Sequence, residues 1–162
     1  RYVYETYLKD TDAKVYLSII PDKNYFLAAE NGYPAMDYEK FFALMRQKVD
    51  FADYIDLMGT LSLSSYYRTD LHWRQEMLAP TAKTLADAMG VSLTADFTEV
   101  TLDTPFYGVY RGQSALPMEP DRLAYLTNDI IGSCRVYDYE SGEYLHMTVF
   151  NGSEDDFKKL II

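Results

Sequence analysis

An acid and a histidine lie two residues apart in residues 66–73, which read Tyr-Tyr-Arg-Thr-Asp-Leu-His-Trp. A carboxylate such as Asp70 can hold an imidazole in one tautomer, and this leaves the other ring nitrogen of His72 free to act as a general base. Together they would form two members of a hydrolase triad whose third member is a nucleophile. In the simpler alternative, Asp70 caps the N-terminus of a following helix and His72 is solvated.

Four further side chains are candidates for substrate contact. Trp73, the only tryptophan, either walls an active site and stacks on a sugar ring or packs in the core. Tyr67 either lines the same cleft or packs beneath the turn. Arg111 and Gln113 suit an anionic or polar group of a substrate. We therefore predict Trp73, Tyr67, Arg111 and Gln113 as substrate-binding residues.

No convincing nucleophile is present in the sequence. The Gly-x-Ser-x-Gly pattern, in which a serine follows a strand at a tight turn, does not occur. Ser114 has Gly112 nearby but no strand leading into it, so we expect a serine in a loop. Cys134 is the only cysteine, and its position at the start of a predicted strand favours a buried, inert thiol.

Several classes of ligand are not supported by the sequence. The second histidine, His146, lies far from His72 and shows no recognised ligand spacing, so neither a metal nor a cofactor is predicted. The formal net charge of −10 argues against nucleic acid and anionic lipid, which bind through lysine and arginine. The charge does not exclude polysaccharides or small esters as partners. The sequence does not indicate an oligomeric state.

The elements that must position Asp70 and His72 follow an α/β rhythm. We predict a strand over 13–20, a helix over 37–49, a short strand over 53–57, a helical turn over 61–65 and a helix over 74–89. Ligands in such folds bind outside the carboxyl ends of the strands, which is where this order puts the pair. Beyond Gly90 we predict strands over 98–102 and 135–139, a loop over 106–118 and a hairpin that turns at 140–143.

Length and composition indicate one globular domain over residues 1–162, with 48% apolar and 25% charged residues. The sequence has no apolar run of about 18 residues that could span a membrane. It ends in Lys-Lys-Leu-Ile-Ile, which is how a buried parallel strand begins. Because termini seldom stop inside a core strand, we expect a partial domain that is cut at both ends or incompletely covered.

Three segments resemble the bacterial DHHW family: residues 15–25, residues 66–73 and residues 112–117. That family is similar to the SGNH-hydrolase-like proteins of polysaccharide O-acetylation, including those of the alginate type. The likeness runs from about Asp10 to Val136, and its most specific part is Thr-Asp-x-His-Trp. The sequence departs from the family name at Leu71, where a histidine is expected, but the departure leaves Asp70 and His72 in place.

The resemblance implies an SGNH-hydrolase-like three-layer α/β fold with a mainly parallel central sheet, here truncated, and a C-terminal part that contains a β-hairpin. It implies catalytic roles for Asp70 and His72 and a serine nucleophile beyond Ile162. The implied function is that of a serine esterase or O-acetyltransferase on cell-envelope polysaccharide at the bacterial cell surface. The alternative is a non-catalytic carbohydrate-binding or envelope-assembly module of the same fold, and a purely structural domain also stays open.

Overall fold

The chain forms two compact units. A computed structural model describes residues 1–93 and 96–144 of the 162-residue chain. The first unit contains Arg1–Leu63 and Pro80–Ser92, and the second contains Ser64–Ala79 and Leu93–Ile162.

The α-helices are α1 (Lys23–Asn31), α2 (Tyr38–Lys48), α3 (Ala79–Ala88), α4 (Val109–Ser114) and α5 (Asp129–Ser133). The strands are β1 (Tyr16–Ser18), β2 (Asp53–Ile55), β3 (Thr98–Phe106), β4 (Asp121–Thr127), β5 (Tyr137–Asp138) and β6 (Glu143–Tyr144). The single domain expected from the sequence stays a prediction.

In the first unit, β1 and β2 pair in parallel, with Tyr16 opposite Asp53. Helices α1 and α2 lie between them in the chain, as a parallel crossover requires. Helix α2 agrees with the helix predicted over 37–49, and its first turn is capped by Asp37, whose carboxylate accepts the N–H of Lys40 at 3.0 Å. The strand–helix–strand order predicted for this half is confirmed.

Helix α1 was not predicted, although both of its ends carry the usual signals. The carboxylate of Asp22 accepts the backbone N–H of Tyr25 at 3.0 Å, which satisfies one of the free donors of the first turn. Gly32 follows the last residue with φ of 65°, a left-handed conformation that glycine adopts without a steric penalty. Its apolar residues, 25–29, are consecutive, so the sequence lacks the spacing of three or four that predicts a helix.

The second unit is built on the antiparallel pair β3–β4, which runs from Thr98 opposite Thr127 to Phe106 opposite Asp121, with a shift of register between Thr101 and Pro105. Its buried cluster consists of Tyr67, Phe106 and Leu123. Strand β3 starts where predicted but is longer, and neither β4 nor α5 was predicted. The loop expected over 106–118 is wrong in part, because α4 lies within it.

The helix predicted over 74–89 is found in two pieces. A 3₁₀ turn covers Gln75–Met77, and α3 follows from Ala79. Pro80 stands in the first turn of α3, where the missing N–H has no partner to lose. Gly90, with φ of 73°, comes just past the end of α3, as predicted for a C-terminal stop.

The mixed α/β class is confirmed, but a mainly parallel central sheet is not found within the described residues. The sheets there have two strands each, and one pair is parallel while two are antiparallel. The hairpin expected near the C-terminus is present as β5 and β6, with Tyr137 opposite Tyr144. Its predicted return through 145–150 and the final strand over 159–162 lie outside the described residues. Of the helices described, none is long and apolar enough to cross a membrane.

Candidate active site

The Asp70 and His72 pair lies at the tip of a narrow backbone turn in the second unit. Tyr66 and Trp73 form an antiparallel bridge across its base. The N–H of Tyr67 donates to the carbonyl of His72 at 3.1 Å, and the N–H of Arg74 donates to the carbonyl of Ser65 at 2.7 Å. The turn follows a 3₁₀ turn at Leu63–Ser65, in agreement with the helical turn predicted there. The paired base therefore fixes where the tip residues start and end.

Asp70 and His72 are in direct contact. The ring Nδ1 of His72 lies 2.6 Å from Oδ1 of Asp70, and the backbone N–H of His72 donates to the same oxygen at 2.9 Å. The other oxygen, Oδ2, accepts the backbone N–H of Val109 at 3.0 Å. The Asp70 side chain is 1% exposed and the His72 side chain 33%. A buried carboxylate thus faces a ring that is open to an approaching group.

Asp70 carries a negative charge in this setting. Burial by itself would raise the pKa of the Asp70 carboxyl, but hydrogen bonds from the backbone N–H groups of Val109 and His72, and then from the His72 ring, hold that pKa below its ordinary value. Because an ionised carboxylate can only accept, Nδ1 of His72 is the donor. In the neutral ring, Nε2 is then the nitrogen with a free lone pair, which is the arrangement that a general base needs.

A cavity of about 460 Å³ adjoins Asp70. Its lining consists of Asp70, Phe106, Tyr107, Gly108, Val109, Arg111 and Gly112. The guanidinium of Arg111 lies 3.8 Å from the centre of the Tyr107 ring, a stacked position that fixes a cation at the cavity wall. The structure therefore brings Arg111 to the same cavity as Asp70, although 41 positions separate them in the sequence.

The other predicted substrate-binding residues have different positions. Tyr67 is fully buried, and its ring centre lies 5.0 Å from that of Phe106, so its position fits packing beneath the turn. Burial, and next the negative charge of Glu76, raise the pKa of the Tyr67 hydroxyl. Trp73 is half-buried at the base of the turn, and Gln113 is exposed on α4. None of these placements tests a role in binding.

Glu76 anchors the chain just after the turn. Its side chain is 2% exposed, and its Oε1 accepts hydrogen bonds from Nε and Nη2 of Arg74 at 2.9 and 2.6 Å. Nη2 of Arg122 lies 3.6 Å from the same oxygen. A buried carboxylate between two arginines ties β4 to the segment that leaves the turn.

Ser114 and Cys134 have potentially nucleophilic side chains. Ser114 belongs to α4, where its hydroxyl donates to the carbonyl of Tyr110 at 2.6 Å, so it is not the loop serine expected. The prediction of a buried thiol is wrong, because Cys134 is exposed just past the end of α5. His146 lies outside the described residues. Among the residues that are described, no group of three or more His, Cys, Asp or Glu side chains is placed to hold a metal ion.

No protein-family model and no curated protein matches the chain. Three solved structures have a similar fold. A DHHW family protein from Eubacterium siraeum has a TM-score of 0.61 at 18% identity, over 74% of this chain and 43% of that protein. The O-acetyltransferase domain of Pseudomonas putida AlgJ has a TM-score of 0.53 at 23% identity, over 74% of this chain and 51% of that domain. Bacillus cereus PatB1 has a TM-score of 0.64 at 15% identity, over 86% of this chain and 53% of PatB1.

The chain thus spans about half the length of each of these three structures. The relationship predicted from the Thr-Asp-x-His-Trp segment, to the DHHW family and to proteins of O-acetylation, is confirmed at the level of the fold. At identities of 15–23% the likeness concerns the fold alone. The chain therefore shares its fold with a DHHW family protein, with the AlgJ O-acetyltransferase domain and with PatB1.

Proposed function

We propose that this chain supplies the Asp70–His72 half of the active site of an SGNH-like serine esterase or O-acetyltransferase, in a three-layer domain with a mainly parallel central sheet. The nucleophile would be a serine carried by a segment beyond Ile162. The observation that carries the proposal is the 2.6 Å contact between a buried, ionised Asp70 and an accessible His72 ring. Such a pair has the orientation and charge that general-base catalysis requires.

The chemistry would be acyl transfer in two steps. In the first, Nε2 of His72 takes the proton of the serine hydroxyl while the serine oxygen attacks the carbonyl of an acetyl ester. The tetrahedral intermediate then expels the alcohol, which receives that proton from the imidazolium. In the second, a sugar hydroxyl or water attacks the acetyl-serine with the same ring as base. A sugar hydroxyl gives O-acetylation, and water gives hydrolysis.

Asp70 would stabilise the imidazolium that forms in each step. Because its carboxyl is held ionised by three N–H donors, which are the backbone amides of Val109 and His72 and the ring Nδ1–H of His72, it does not need to take a proton itself. Backbone N–H groups near the serine would stabilise the oxyanion.

The proposed substrate is an acetylated or acetylatable polysaccharide of the bacterial cell envelope, so the protein would act outside the cytoplasm. The O-acetyltransferase activity in the name of the AlgJ domain supports the reaction type. The cavity next to Asp70, with Arg111 at its wall, would accept a polar or anionic group of the sugar. Trp73 and Gln113 stay candidates for further sugar contacts.

The proposal is tested in the intact protein with 4-nitrophenyl acetate as the acyl donor. His72→Asn keeps a polar side chain but removes the base, so kcat should fall by about 10²–10⁴-fold. Lys83→Gln, which changes an exposed side chain on α3, is the matched control and should keep the wild-type rate. Intact mass spectrometry during turnover should show acetylation of the wild-type protein.

A kcat of His72→Asn equal to that of the wild-type protein would overturn the assignment of His72 as the general base. Glycan binding without any ester turnover in the wild-type protein would instead indicate the non-catalytic carbohydrate-binding module.

A further inference from the structure

The Asp121 carboxylate holds the backbone of the active-site turn. Asp121 is the first residue of β4 and lies 51 residues beyond Asp70. Its Oδ1 accepts the N–H of Arg68 at 2.9 Å, and its Oδ2 accepts the N–H of Thr69 at 2.6 Å. Two consecutive amides just before Asp70 are therefore bound by one side chain from a strand. Charge-assisted bonds of this kind are shorter and stronger than neutral ones.

Thr69 connects Asp121 to the loop before α4. Its hydroxyl donates to Oδ2 of Asp121 at 2.6 Å and accepts the N–H of Gly108 at 2.9 Å. Its carbonyl accepts the N–H of Tyr110 at 3.0 Å. Thr69 is fully buried, so its own atoms in these bonds are shielded from water. The residue directly before Asp70 is thus held by its amide, its hydroxyl and its carbonyl at once.

These contacts fix the position of the Asp70 carboxylate relative to Val109. Gly108 and Tyr110, which flank Val109, both donate to Thr69, and Val109 donates to Asp70. The same short loop therefore binds two adjacent residues of the turn. A displacement of Thr69 would move the Asp70 carboxylate away from Val109 and change the angle at which it meets the His72 ring.

We infer that Asp121 and Thr69 are positioning residues that set the orientation of the Asp70–His72 pair without touching a substrate. The catalytic consequence rests on the proposed function, but the orientation of the ring can be measured independently of it. The effect on catalysis would come through geometry, since a displacement of about 1 Å at such a site can lower the rate by about 10²-fold.

The test compares Thr69→Val, which keeps the shape but removes the hydroxyl, with Thr69→Ser, which keeps the hydroxyl. The primary readout is ¹⁵N NMR of the His72 ring in the intact protein, which reports the tautomer and the hydrogen-bonded Nδ1–H. We expect Thr69→Val to lose the protected Nδ1–H signal and Thr69→Ser to retain it. Thr98→Val, at the exposed start of β3, is a control for the same substitution outside the turn.

A second variant, Asp121→Asn, decides the matter if Thr69→Val does not fold. It exchanges one acceptor oxygen for an NH₂ group that faces an N–H donor, so the Nδ1–H signal should weaken in the same way. In both variants kcat should fall by about 10- to 100-fold with KM changed by less than about twofold.

An unchanged Nδ1–H signal and tautomer in a folded Thr69→Val or Asp121→Asn protein would overturn the inference. If the signal is lost while the wild-type protein shows no acyl transfer at all, the positioning role stands and the proposed function fails. If turnover is present and both variants leave the Nδ1–H signal, the tautomer and kcat unchanged, the positioning role fails and the proposed function stands.

Discussion

The backbone N–H of Val109 donates to Oδ2 of Asp70 at 3.0 Å, so the carboxylate that orients His72 also caps the first residue of α4. A side chain thereby satisfies a helix donor that has no partner within its own helix. The simpler sequence alternative, in which Asp70 caps a helix, is therefore partly correct, but the capped helix is 39 residues away rather than the next one. The cap and the orientation of His72 use different oxygens of one carboxylate, so the two roles coexist.

The first prediction concerns acid stability. Because the folded-state pKa of Asp70 is lowered, its ionised form contributes stability that is fully present above the unfolded-state pKa of about 3.9 and is lost as the pH falls through the folded-state value. Asp70→Asn should lower the free energy of unfolding at pH ~7 by about 2 kcal/mol and should flatten its dependence on pH below about 4.

Urea denaturation of wild type and variant at a series of pH values measures this effect. Asp103→Asn, which changes an exposed carboxyl on β3, is the control and should follow the wild-type curve. A parallel loss of stability in acid for Asp70→Asn and wild type would show that Asp70 does not carry the effect.

The second prediction concerns the close packing of Gly108 against the turn. A Cβ at this position would lie 2.6 Å from Oδ2 of Asp70 and still closer to Cβ of Asp70 and the carbonyl oxygen of Thr69. Real Cβ atoms do not approach other atoms so closely, so Gly108→Ala must displace the turn. We expect a loss of about 1–3 kcal/mol in stability and a fall in kcat larger than the change in KM.

Gly132→Ala on α5 is the matched control for this substitution, because a Cβ there meets nothing within 4 Å. Thermal unfolding of both variants, with the ester assay alongside, gives the comparison. Equal stability and equal kcat in the two alanine variants would mean that the loop before α4 shifts to accommodate the Cβ without displacing Asp70.

The third prediction concerns the buried carboxylate of Glu76. Its removal in Glu76→Ala takes away the acceptor that Arg74 and Arg122 share, and the loss of these hydrogen bonds to a charged group should cost about 1.5–3 kcal/mol. Asp87→Asn breaks the exposed pair with Lys83 on α3 and should change stability by less than about 0.5 kcal/mol. Chemical denaturation measures both changes, and similar values for the two variants would contradict a buried anchor at Glu76.

The fourth prediction concerns the cation at the wall of the cavity. If Arg111 binds a polar or anionic group of the substrate, Arg111→Ala should raise KM for an acetylated uronate oligosaccharide by about 10-fold and leave KM for 4-nitrophenyl acetate nearly unchanged. Arg135 is also stacked on a tyrosine, with its guanidinium 4.1 Å from the Tyr144 ring centre, but it does not line this cavity. Arg135→Ala is therefore the control. If KM for the oligosaccharide is the same in Arg111→Ala and Arg135→Ala, Arg111 does not bind the substrate.

Local patterns in the sequence predicted the parts of the structure that depend on neighbours in the chain. Helix α2 follows from its 3.6-residue periodicity together with the cap at Asp37, and the contact between Asp70 and His72 spans two residues. Helix α1 was missed although Asp22 and Gly32 mark its ends, because its apolar residues, 25–29, follow one another instead of recurring every three or four positions.

The rest of the site depends on residues that are distant in sequence, which no local pattern connects. Neither Val109 nor Asp121 could be linked to the turn from the sequence, since their bonds span 39 and 52 residues. Cys134 was expected at the start of a strand and buried, yet it lies just past the last residue of α5 and is exposed. Cysteine is often buried in proteins, but whether a particular cysteine is buried depends on the tertiary structure around it.

The bond between Val109 and Asp70 also has a consequence for how the protein is made. When synthesis has reached Trp73, the chain contains both Asp70 and His72, but the Val109 amide that orients the Asp70 carboxylate is still 36 residues away. A chain at that stage contains both residues of the pair, but no amide yet holds the Asp70 carboxylate in position to orient His72. The Asp70–His72 pair would therefore be oriented only after α4 has packed against the turn, and residues 66–73 placed in an unrelated protein would lack the amide that orients Asp70.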